Sequence, residues 1–353
     1  MTGNHKPPFF IVGPPRSGTT LMGRILARHT DIESPGESHF FEDVWSRREE
    51  IGSLEKDASL DKAVKRTLSL FGRYNFPETQ AIVSRTIDAA RLKARVKAGG
   101  AGYPVLYSEF MTMLAEQSGK RWFCDDTPKH LFYLDDILEL YPETRVLCMI
   151  RDPRDYLASY KNYWRRSTES DRVRKLYHPI LTTMLWQGSA GLVLKYAEHP
   201  RVKLVHYENL VRHPAEEIRS ICGFLGIEYT PGLLEVESDN SSYGGHRRGI
   251  DSCSVGRWRA NLHDAEVWWH QRLATTRMSA LGYEQARVRP SLLSTSKILF
   301  TAPGAIVNAL NANAGKRGPL LNYVARRLLA MLPSWSSRKR GRRPGQVRVR
   351  DEA

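Results

Sequence analysis

The start of the chain combines a buried strand, a glycine-rich turn and a helix, and this combination constrains the fold more than any other feature. Phe9 to Val12 is a continuous apolar run, which indicates a strand covered on both faces. Residues 13–18 carry two glycines and lead into helical residues ending near His29. The first turn of a helix leaves backbone N–H groups unpaired, and glycine lets an anion approach the backbone closely. The segment therefore predicts a phosphate site.

Strands and helices alternate along the rest of the chain. Apolar runs predict three further strands, over residues 122–124, 146–150 and 202–205. Helical periodicity predicts four further helices, over residues 105–118, 131–141, 154–164 and 215–225. Residues 231–257, rich in Gly, Ser and Asn, are predicted to form a long loop. The alternation predicts an α/β fold of the nucleotide-binding P-loop type, with a central, mainly parallel sheet flanked by helices.

The positive charge is concentrated at the C-terminus. Hydrophobic residues make up 41% of the 353, enough for one large core, which we predict to span residues 1–290. Residues 291–353 hold 12 Lys and Arg against 2 Asp and Glu, which leaves only +5 of the net +15 to the preceding residues. Within this basic extension we expect an amphipathic helix over 320–332 and disorder over 336–350. The extension suits an anionic membrane or polymer, and a solvated tail is the alternative.

The cysteines and the apolar runs bear on the cellular compartment. The four cysteines form no CxxC pair, so we predict free thiols, with neither a disulfide framework nor a metal site. We see no signal peptide and no apolar run of the ~18 residues that a membrane span needs. The sequence favours a cytoplasmic location, peripheral at the membrane where the basic tail engages it.

The glycine-rich turn departs from the Walker A loop in its cation. Gly13 and Gly18 have the Walker A spacing, yet Thr19 stands where a nucleotide triphosphatase needs Lys. The cation comes earlier, as Arg16. Asp152 is the nearest candidate ligand for Mg²⁺, but Arg151 precedes it. These features favour binding of a phosphorylated donor without Mg²⁺ over binding of a nucleoside triphosphate with Mg²⁺. The alternative is that the segment is an ordinary turn between a strand and a helix and binds no phosphate.

Two elements resemble those of a known family. The string Pro15-Arg16-Ser17-Gly18-Thr19-Thr20 resembles the 5′-phosphosulfate loop of the sulfotransferases that use 3′-phosphoadenosine 5′-phosphosulfate (PAPS). The 146–150 strand with Arg151 at its carboxyl end and Ser159 in the next helix is similar to the 3′-phosphate element of that family. A solvated salt-bridge cluster is the alternative for Arg151 and its neighbours. The resemblance extends over residues 8–285.

Weaker matches lie later in the chain. Residues 205–210 resemble the family segment whose tyrosine, here Tyr207, lies near the adenine. Residues 254–258 resemble the loop that closes over the 3′-phosphate and base, with Arg257 supplying charge and Trp258 apolar cover. Residues 126–130 resemble a turn near the cofactor or acceptor. Core packing is the alternative for both aromatic residues.

The resemblance implies transfer of a sulfuryl group from PAPS to an acceptor hydroxyl or amine. Arg16 would stabilise the negative charge that develops on the leaving phosphate. Glu37 is the first candidate for the general base, and His39 is the second. The sequence leaves a glycan, a lipid-linked sugar, a peptidyl tyrosine and a small metabolite open as acceptors, and the basic tail favours a glycan or a lipid-linked sugar. The residues expected to bind the donor are Arg16, Ser17, Gly18, Thr19, Thr20, Arg151, Ser159, Tyr207, Arg257 and Trp258.

Two other functions remain as alternatives. One is a P-loop kinase or nucleotide triphosphatase, against which Thr19 argues. The other is a non-enzymatic protein that binds an anionic polymer through its basic tail. Nucleic-acid binders use aromatic stacking platforms, and the tail carries only Trp335 after Tyr323, so we predict no specific nucleic-acid partner.

Overall fold

Five parallel strands form the centre of the molecule. The computed structural model describes residues 8–74, 76–163, 177–239, 246–250 and 252–312. The strands lie in the order β2-β3-β1-β4-β5, and every pairing among them is parallel. Their bounds are β1 Phe9–Val12, β2 Ile32–Glu33, β3 Trp122–Asp125, β4 Arg145–Ile150 and β5 Val202–His206.

Helices cover both faces of this sheet and account for most of the remaining described residues. They are α1 Thr19–Ala27, α2 Phe40–Asp43, α3 Arg48–Ile51, α4 Asp57–Leu68, α5 Leu70–Arg73, α6 Pro77–Thr86, α7 Ala89–Ala98, α8 Tyr103–Gln117, α9 Leu134–Leu140, α10 Pro153–Lys161, α11 Pro179–Tyr196, α12 Tyr207–Arg212, α13 Pro214–Leu225, α14 Trp258–Asn261, α15 Asp264–Ala280 and α16 Leu292–Ala312. Short 3₁₀ segments lie at Trp45–Arg47, Pro128–Tyr133 and Pro231–Leu234. The predicted α/β class is confirmed.

The apolar composition of β1 and β4 explains their central position. Successive side chains of a strand point to opposite faces, so a strand between two helical layers must be apolar throughout. Phe10 and Val12 pack into the cluster formed with helices of residues 40–141, whereas Phe9 and Ile11 pack into the cluster of α1 and α13. Because β1 is parallel to its neighbours β3 and β4, the carboxyl ends of the three strands lie at the same end of the sheet. The turns that follow these strands therefore lie together there.

Several elements differ from the sequence prediction. The two-residue strand β2 was not predicted, because its apolar signal is too short to register. The expected loop 231–257 contains an antiparallel pair, Glu237–Asp239 with His246–Arg248. Cys124, Cys148 and Cys222 are buried free thiols, and Cys253 is an exposed one. The helix and disorder expected beyond residue 312 lie outside the described residues.

The helix α16 lies beyond the predicted domain boundary at residue 290 but packs on the body. The carbonyl oxygen of Ile298 lies 3.1 Å from Nε2 of His178 in the chain before α11. The indole N–H of Trp269, in α15, donates to the Thr295 carbonyl at 3.0 Å. Within the described ranges, no helix combines the length and apolar character needed to cross a bilayer. The boundary at residue 290 stays a prediction.

Candidate functional site

The turn between β1 and α1 depends on its two glycines. A Cβ on Gly13 would lie 2.3 Å from the Met149 carbonyl oxygen, and one on Gly18 would lie 2.5 Å from Cδ2 of Tyr207. Gly18 also has a φ of 94°, in the left-handed region, and serves as the N-cap of α1 without a side-chain cap. The first N–H groups of α1 therefore have no side-chain acceptor at the cap and can face an anion.

The turn after β4 brings a second cation to the first. Arg16 donates from Nε to the Ser159 hydroxyl at 3.2 Å, and Arg151 donates from Nη1 to the Arg16 carbonyl at 3.3 Å. Residues separated by 135 positions in sequence thus meet at the edge of the sheet. Arg16, Arg151 and Ser159 line one cleft, together with Thr19.

The electrostatics of this region favour an anionic ligand. Burial lowers the pKa of Arg16, and the positive charge of Arg151 lowers it further. Arg16 still keeps its charge, because arginine does not release its proton at neutral pH. Nε of Arg151 and the hydroxyl of Ser17 are buried without a hydrogen-bond partner among the residues that the structure describes. Buried polar atoms are normally satisfied, so these two mark places where a ligand can supply acceptors. The residues present therefore fit a nucleotide that carries phosphate at two positions.

Tyr207 and Ser254 form the wall beside Arg151. Arg151 lies over the Tyr207 ring at 4.5 Å and donates from Nη2 to the Ser254 carbonyl at 2.7 Å. The hydroxyl groups of Tyr207 and Ser254 are 2.5 Å apart. The ring of Tyr207 also sets the space available at Gly18. Ser254 was not predicted as a site residue, since a single serine in a loop carries no distinctive signal.

Three predicted residues do not line this cleft: Ser17, whose hydroxyl is buried in the turn after β1, and two residues of a later segment, Arg257 and Trp258. Trp258 is 6% exposed and packs against the Arg154 guanidinium at 4.5 Å, while Arg257 donates from Nε to the Cys253 carbonyl at 2.5 Å. The residues that line the cleft include Ser254 from this segment but neither of these two. Their contribution to donor binding stays a prediction, and the packing observed for Trp258 is that of a core residue.

Asp155 holds the segment that contains Ser254 and Trp258. Its carboxylate accepts backbone N–H groups from Gly256 at 2.7 Å and Trp258 at 2.9 Å. Burial raises the pKa of Asp155 to about 6, although the charge of Arg151 and the N–H donors oppose the rise. The position of Ser254 beside Arg151 thus depends on a buried acid in α10.

Glu37 and His39 form a hydrogen-bonded chain on the other side of the cleft. Nε2 of His39 lies 3.1 Å from Glu37, and Nδ1 lies 3.1 Å from Glu42. The His39 ring also stacks on Tyr74, with centroids 3.8 Å apart. Burial opposes protonation of His39, but the hydrogen bonds and charges of the two carboxylates outweigh it and raise the pKa of His39. A protonated His39 donates to both acids at once.

Glu42 and Lys129 complete this chain, and neither was predicted as a site residue. Lys129 lies 2.8 Å from Glu42 and lines the cleft after β3. Burial would raise the pKa of Glu42, but His39 and Lys129 outweigh it and lower it to about 2. Lys129 belongs to the 126–130 turn whose resemblance placed it near the cofactor or acceptor, so a weak signal existed. Glu42 carried no such signal in the sequence, because its contact with the site depends on the orientation of the His39 ring.

A second buried acid, Asp125, fixes the backbone around Glu37. It accepts hydrogen bonds from the hydroxyl groups of Ser38, Tyr107 and Thr127, the last at 2.6 Å. Thr127 in turn accepts the backbone N–H of His39 at 3.2 Å. The segment that contains Glu37 is therefore tied to the carboxyl end of β3, next to the glycine-rich turn between β1 and α1.

The cleft is large enough for a nucleotide. Its volume is about 370 Å³, within the usual range for small-molecule sites. Tyr160 and Tyr163 also line it, and the Tyr163 ring lies 5.1 Å from the Arg16 guanidinium. The full lining consists of Pro15, Arg16, Gly18, Thr19, Thr20, Leu21, Glu37, His39, Pro128, Lys129, Arg151, Ser159, Tyr160, Tyr163, Tyr207 and Ser254.

Comparison with known proteins places this cleft in context. The sulfotransferase domain of the Synechococcus PCC 7002 olefin synthase shares the fold, with a TM-score of 0.50 and 24% identity over 81% of this chain and 99% of that domain. Nodulation protein NoeE of Sinorhizobium fredii is 28% identical over 305 residues, which cover 78% of this chain and 66% of that protein. Protein-tyrosine sulfotransferase 1 of Danio rerio is 25% identical over 247 residues, covering 68% of this chain and 58% of that protein.

The chain thus spans about two thirds or less of the length of these two relatives. The profile of the Sulfotransferase family matches residues 7–231. This stretch is more than half of the sequence, and it contains the phosphate turn, Glu37, Arg151 and Ser159. The chain therefore belongs to the sulfotransferase family.

Proposed function

We propose that the protein transfers a sulfuryl group from PAPS to an acceptor hydroxyl or amine. The observation that carries the proposal is the meeting of Arg16 and Arg151 in one cleft, each at the end of a different strand. A nucleotide with phosphate groups at both its 5′ and 3′ positions can engage both cations at once. A nucleotide with phosphate at one end only leaves one of these two buried guanidinium groups without a phosphate to offset its charge.

The residues divide into two anion-binding groups. The 5′ side is assigned to the N–H groups at the start of α1, with Arg16, Ser17, Gly18, Thr19 and Thr20. The 3′ side is assigned to Arg151 and Ser159. These two residues belong to the segment that resembles the 3′-phosphate element of the family. Bound PAPS supplies a sulfuryl group already joined to a phosphate leaving group. Arg16 holds negative charge on that phosphate electrostatically, because arginine does not release its proton at neutral pH.

Glu37 is the residue we assign as general base. When His39 is protonated, its two N–H groups are taken by Glu37 and Glu42, so the ring has no free nitrogen to accept a proton. Glu37 bonds His39 through one carboxylate oxygen, Oε2, and its side chain is 25% exposed at the cleft. The other oxygen can accept the proton of an acceptor hydroxyl. His39 then orients the base, and it takes the role of base only if Glu37 proves dispensable.

The acceptor we propose is a glycan or a lipid-linked sugar. The proposal depends on the basic C-terminal extension, which suits an enzyme working beside an anionic membrane. The alternatives are a small metabolite and a peptidyl tyrosine. Incubation with PAPS carrying labelled sulfate and a cell extract, followed by mass spectrometry of the labelled product, would identify the acceptor class directly.

Nucleotide binding tests the donor assignment against its rivals. We expect calorimetry to give tight binding of adenosine 3′,5′-bisphosphate without Mg²⁺ and weak binding of ATP with Mg²⁺. Tight binding of ATP with Mg²⁺ alone would support a kinase or triphosphatase instead. Salt-sensitive binding of DNA, with no affinity for either nucleotide, would support the anionic-polymer protein.

A further inference from the structure

The helix α16 presents an apolar stripe to solvent. Leu292, Leu299 and Ile306 recur every seven residues, and Leu293, Phe300 and Val307 repeat the same spacing one residue later. Seven residues are close to two turns of a helix, so both rows lie on one side. The six side chains are between 45% and 87% exposed. A row of this kind on a soluble surface usually marks an interaction site.

The opposite side of α16 is already used. There the helix contacts His178 and Trp269 through the Ile298 and Thr295 carbonyls. Trp268, the neighbour of Trp269, is 36% exposed and in ring contact with it at 5.1 Å, so a further aromatic side chain is accessible beside this helix. The stripe is therefore a second face, distinct from the one that packs on the body.

The charge distribution indicates what covers the stripe. The only ionisable residue of α16 is Lys297, and the sequence that follows, residues 313–353, holds 11 Lys and Arg against 2 Asp and Glu. An apolar face flanked by cationic sequence matches a surface that offers hydrocarbon and negative charge together. Two copies joined in parallel through this face would instead bring two such cationic segments, each of net +9, side by side.

We propose that the exposed stripe of α16, defined by Leu292, Leu293, Leu299, Phe300, Ile306 and Val307, docks on an anionic lipid bilayer. The helix lies in the plane of the interface, with these side chains inserted at the level of the headgroups. The basic sequence after it supplies the electrostatic attraction. One weak anchor gives reversible attachment, and the combination of an apolar face and a polybasic segment gives stable attachment.

Flotation of the full-length protein with lipid vesicles tests the stripe. We expect binding to vesicles of phosphatidylcholine and phosphatidylglycerol at about three to one, and little binding to phosphatidylcholine alone. Leu293→Glu with Phe300→Glu should lower the partition coefficient by about tenfold or more. The control pairs the single variants Phe300→Glu and Asn308→Glu: the second adds the same charge at an exposed position about 80° around the helix from Phe300, outside the stripe, and should change the partition coefficient by about twofold at most.

A tail variant tests the electrostatic part separately. Replacing five basic residues by Gln lowers the net charge of residues 313–353 from +9 to +4, and should therefore weaken both the preference for anionic vesicles and the dependence of binding on salt. The five are Arg338, Lys339, Arg340, Arg342 and Arg343. The stripe variants should keep the thermal unfolding temperature and the nucleotide affinity of the wild type, because none of the stripe residues lines the cleft.

Three results would overturn the proposal. The first is a wild-type protein that stays in solution with anionic vesicles at low salt. The second is an L293E/F300E variant that floats as well as the wild type. The third is a wild-type dimer, seen by light scattering without lipid, that the same variant converts to a monomer, since the stripe would then belong to a second copy. Nucleotide affinity is measured on the same preparations, so failure of the docking proposal is distinct from failure of the donor assignment.

Discussion

Replacement of Arg151 by Ala should separate the 3′-phosphate from the rest of the donor. Arg151 is 7% exposed, and its Nε has no hydrogen-bond partner within the described part of the chain. A phosphate bound there would receive charge-assisted hydrogen bonds in a buried setting, each worth roughly 1.5–3 kcal/mol. Allowing for one strong contact or two weaker ones, the loss is about 3 kcal/mol, or roughly 150-fold in Kd.

The variant also removes contacts within the protein, so the assay must separate the two effects. Arg151 donates to the carbonyl groups of Ser254 and Arg16, and their loss affects any ligand of the cleft. We would therefore measure Kd by calorimetry for adenosine 3′,5′-bisphosphate and for adenosine 5′-monophosphate. The structural loss cancels in the ratio of the two affinities, and the contribution of the 3′-phosphate remains.

Arg121→Ala provides the matched control. Arg121 lies at the amino end of β3, is 64% exposed and pairs with Asp31, so its loss should leave both affinities within about twofold. The reasoning would be refuted if Arg151→Ala weakened both nucleotides equally, because Arg151 would then have a structural role alone.

Three other substitutions test the base, the buried acid and the phosphate turn. Glu37→Gln should lower kcat by about 10²–10⁴ while leaving the Kd of adenosine 3′,5′-bisphosphate unchanged, and a larger loss in His39→Asn would make His39 the base. Because the pKa of Asp155 is about 6, between about pH 4 and pH 6 the folded protein keeps the Asp155 proton that the unfolded chain has released, so the free energy of unfolding falls by up to about 3 kcal/mol as the pH rises through this range. Urea titrations should show that the Asp155→Asn variant lacks this decrease, and an equal pH dependence of stability in both proteins would contradict the assignment. Gly18→Ala should destabilise by about 1–3 kcal/mol in the same assay, whereas Gly188→Ala, where a Cβ meets nothing within 4 Å, should be neutral or stabilising.

Features that lie in one continuous stretch can be located from the sequence. The glycine-rich turn of residues 13–18 follows directly from β1, and Arg151 with Ser159 follows from β4, so an apolar strand and its next helix locate each of them, and their roles in donor binding stay predictions. The α/β class is confirmed for the same reason, since buried strands and helices differ in periodicity. What such stretches do not reveal is the strand order, in which β3 and β4 flank β1.

Contacts made only by the strand order escape sequence reasoning. Lys129 follows β3 and Glu42 follows β2, and the two side chains meet because these strands are paired, although the residues are 87 positions apart. Ser254 lies beside Arg151 because Asp155 holds the loop, and that side chain also turns Trp258 into the interior. An aromatic residue in a loop can face a ligand or the core, and the deciding hydrogen bond lies a hundred residues away.

The two buried acids that position the cleft differ in how many donors they satisfy, and this difference sets which side responds to pH. Asp125 accepts four hydrogen bonds, from Ser38, Tyr107 and Thr127. Burial opposes its ionisation, but the charge of His130 and these donors prevail and lower its pKa. Asp155 accepts hydrogen bonds from only two backbone N–H groups, those of Gly256 and Trp258. These are too few to offset the rise in its pKa that burial causes. On mild acidification Asp155 gains a proton while Asp125 stays charged, so the Arg151 side of the cleft changes before the Glu37 side does.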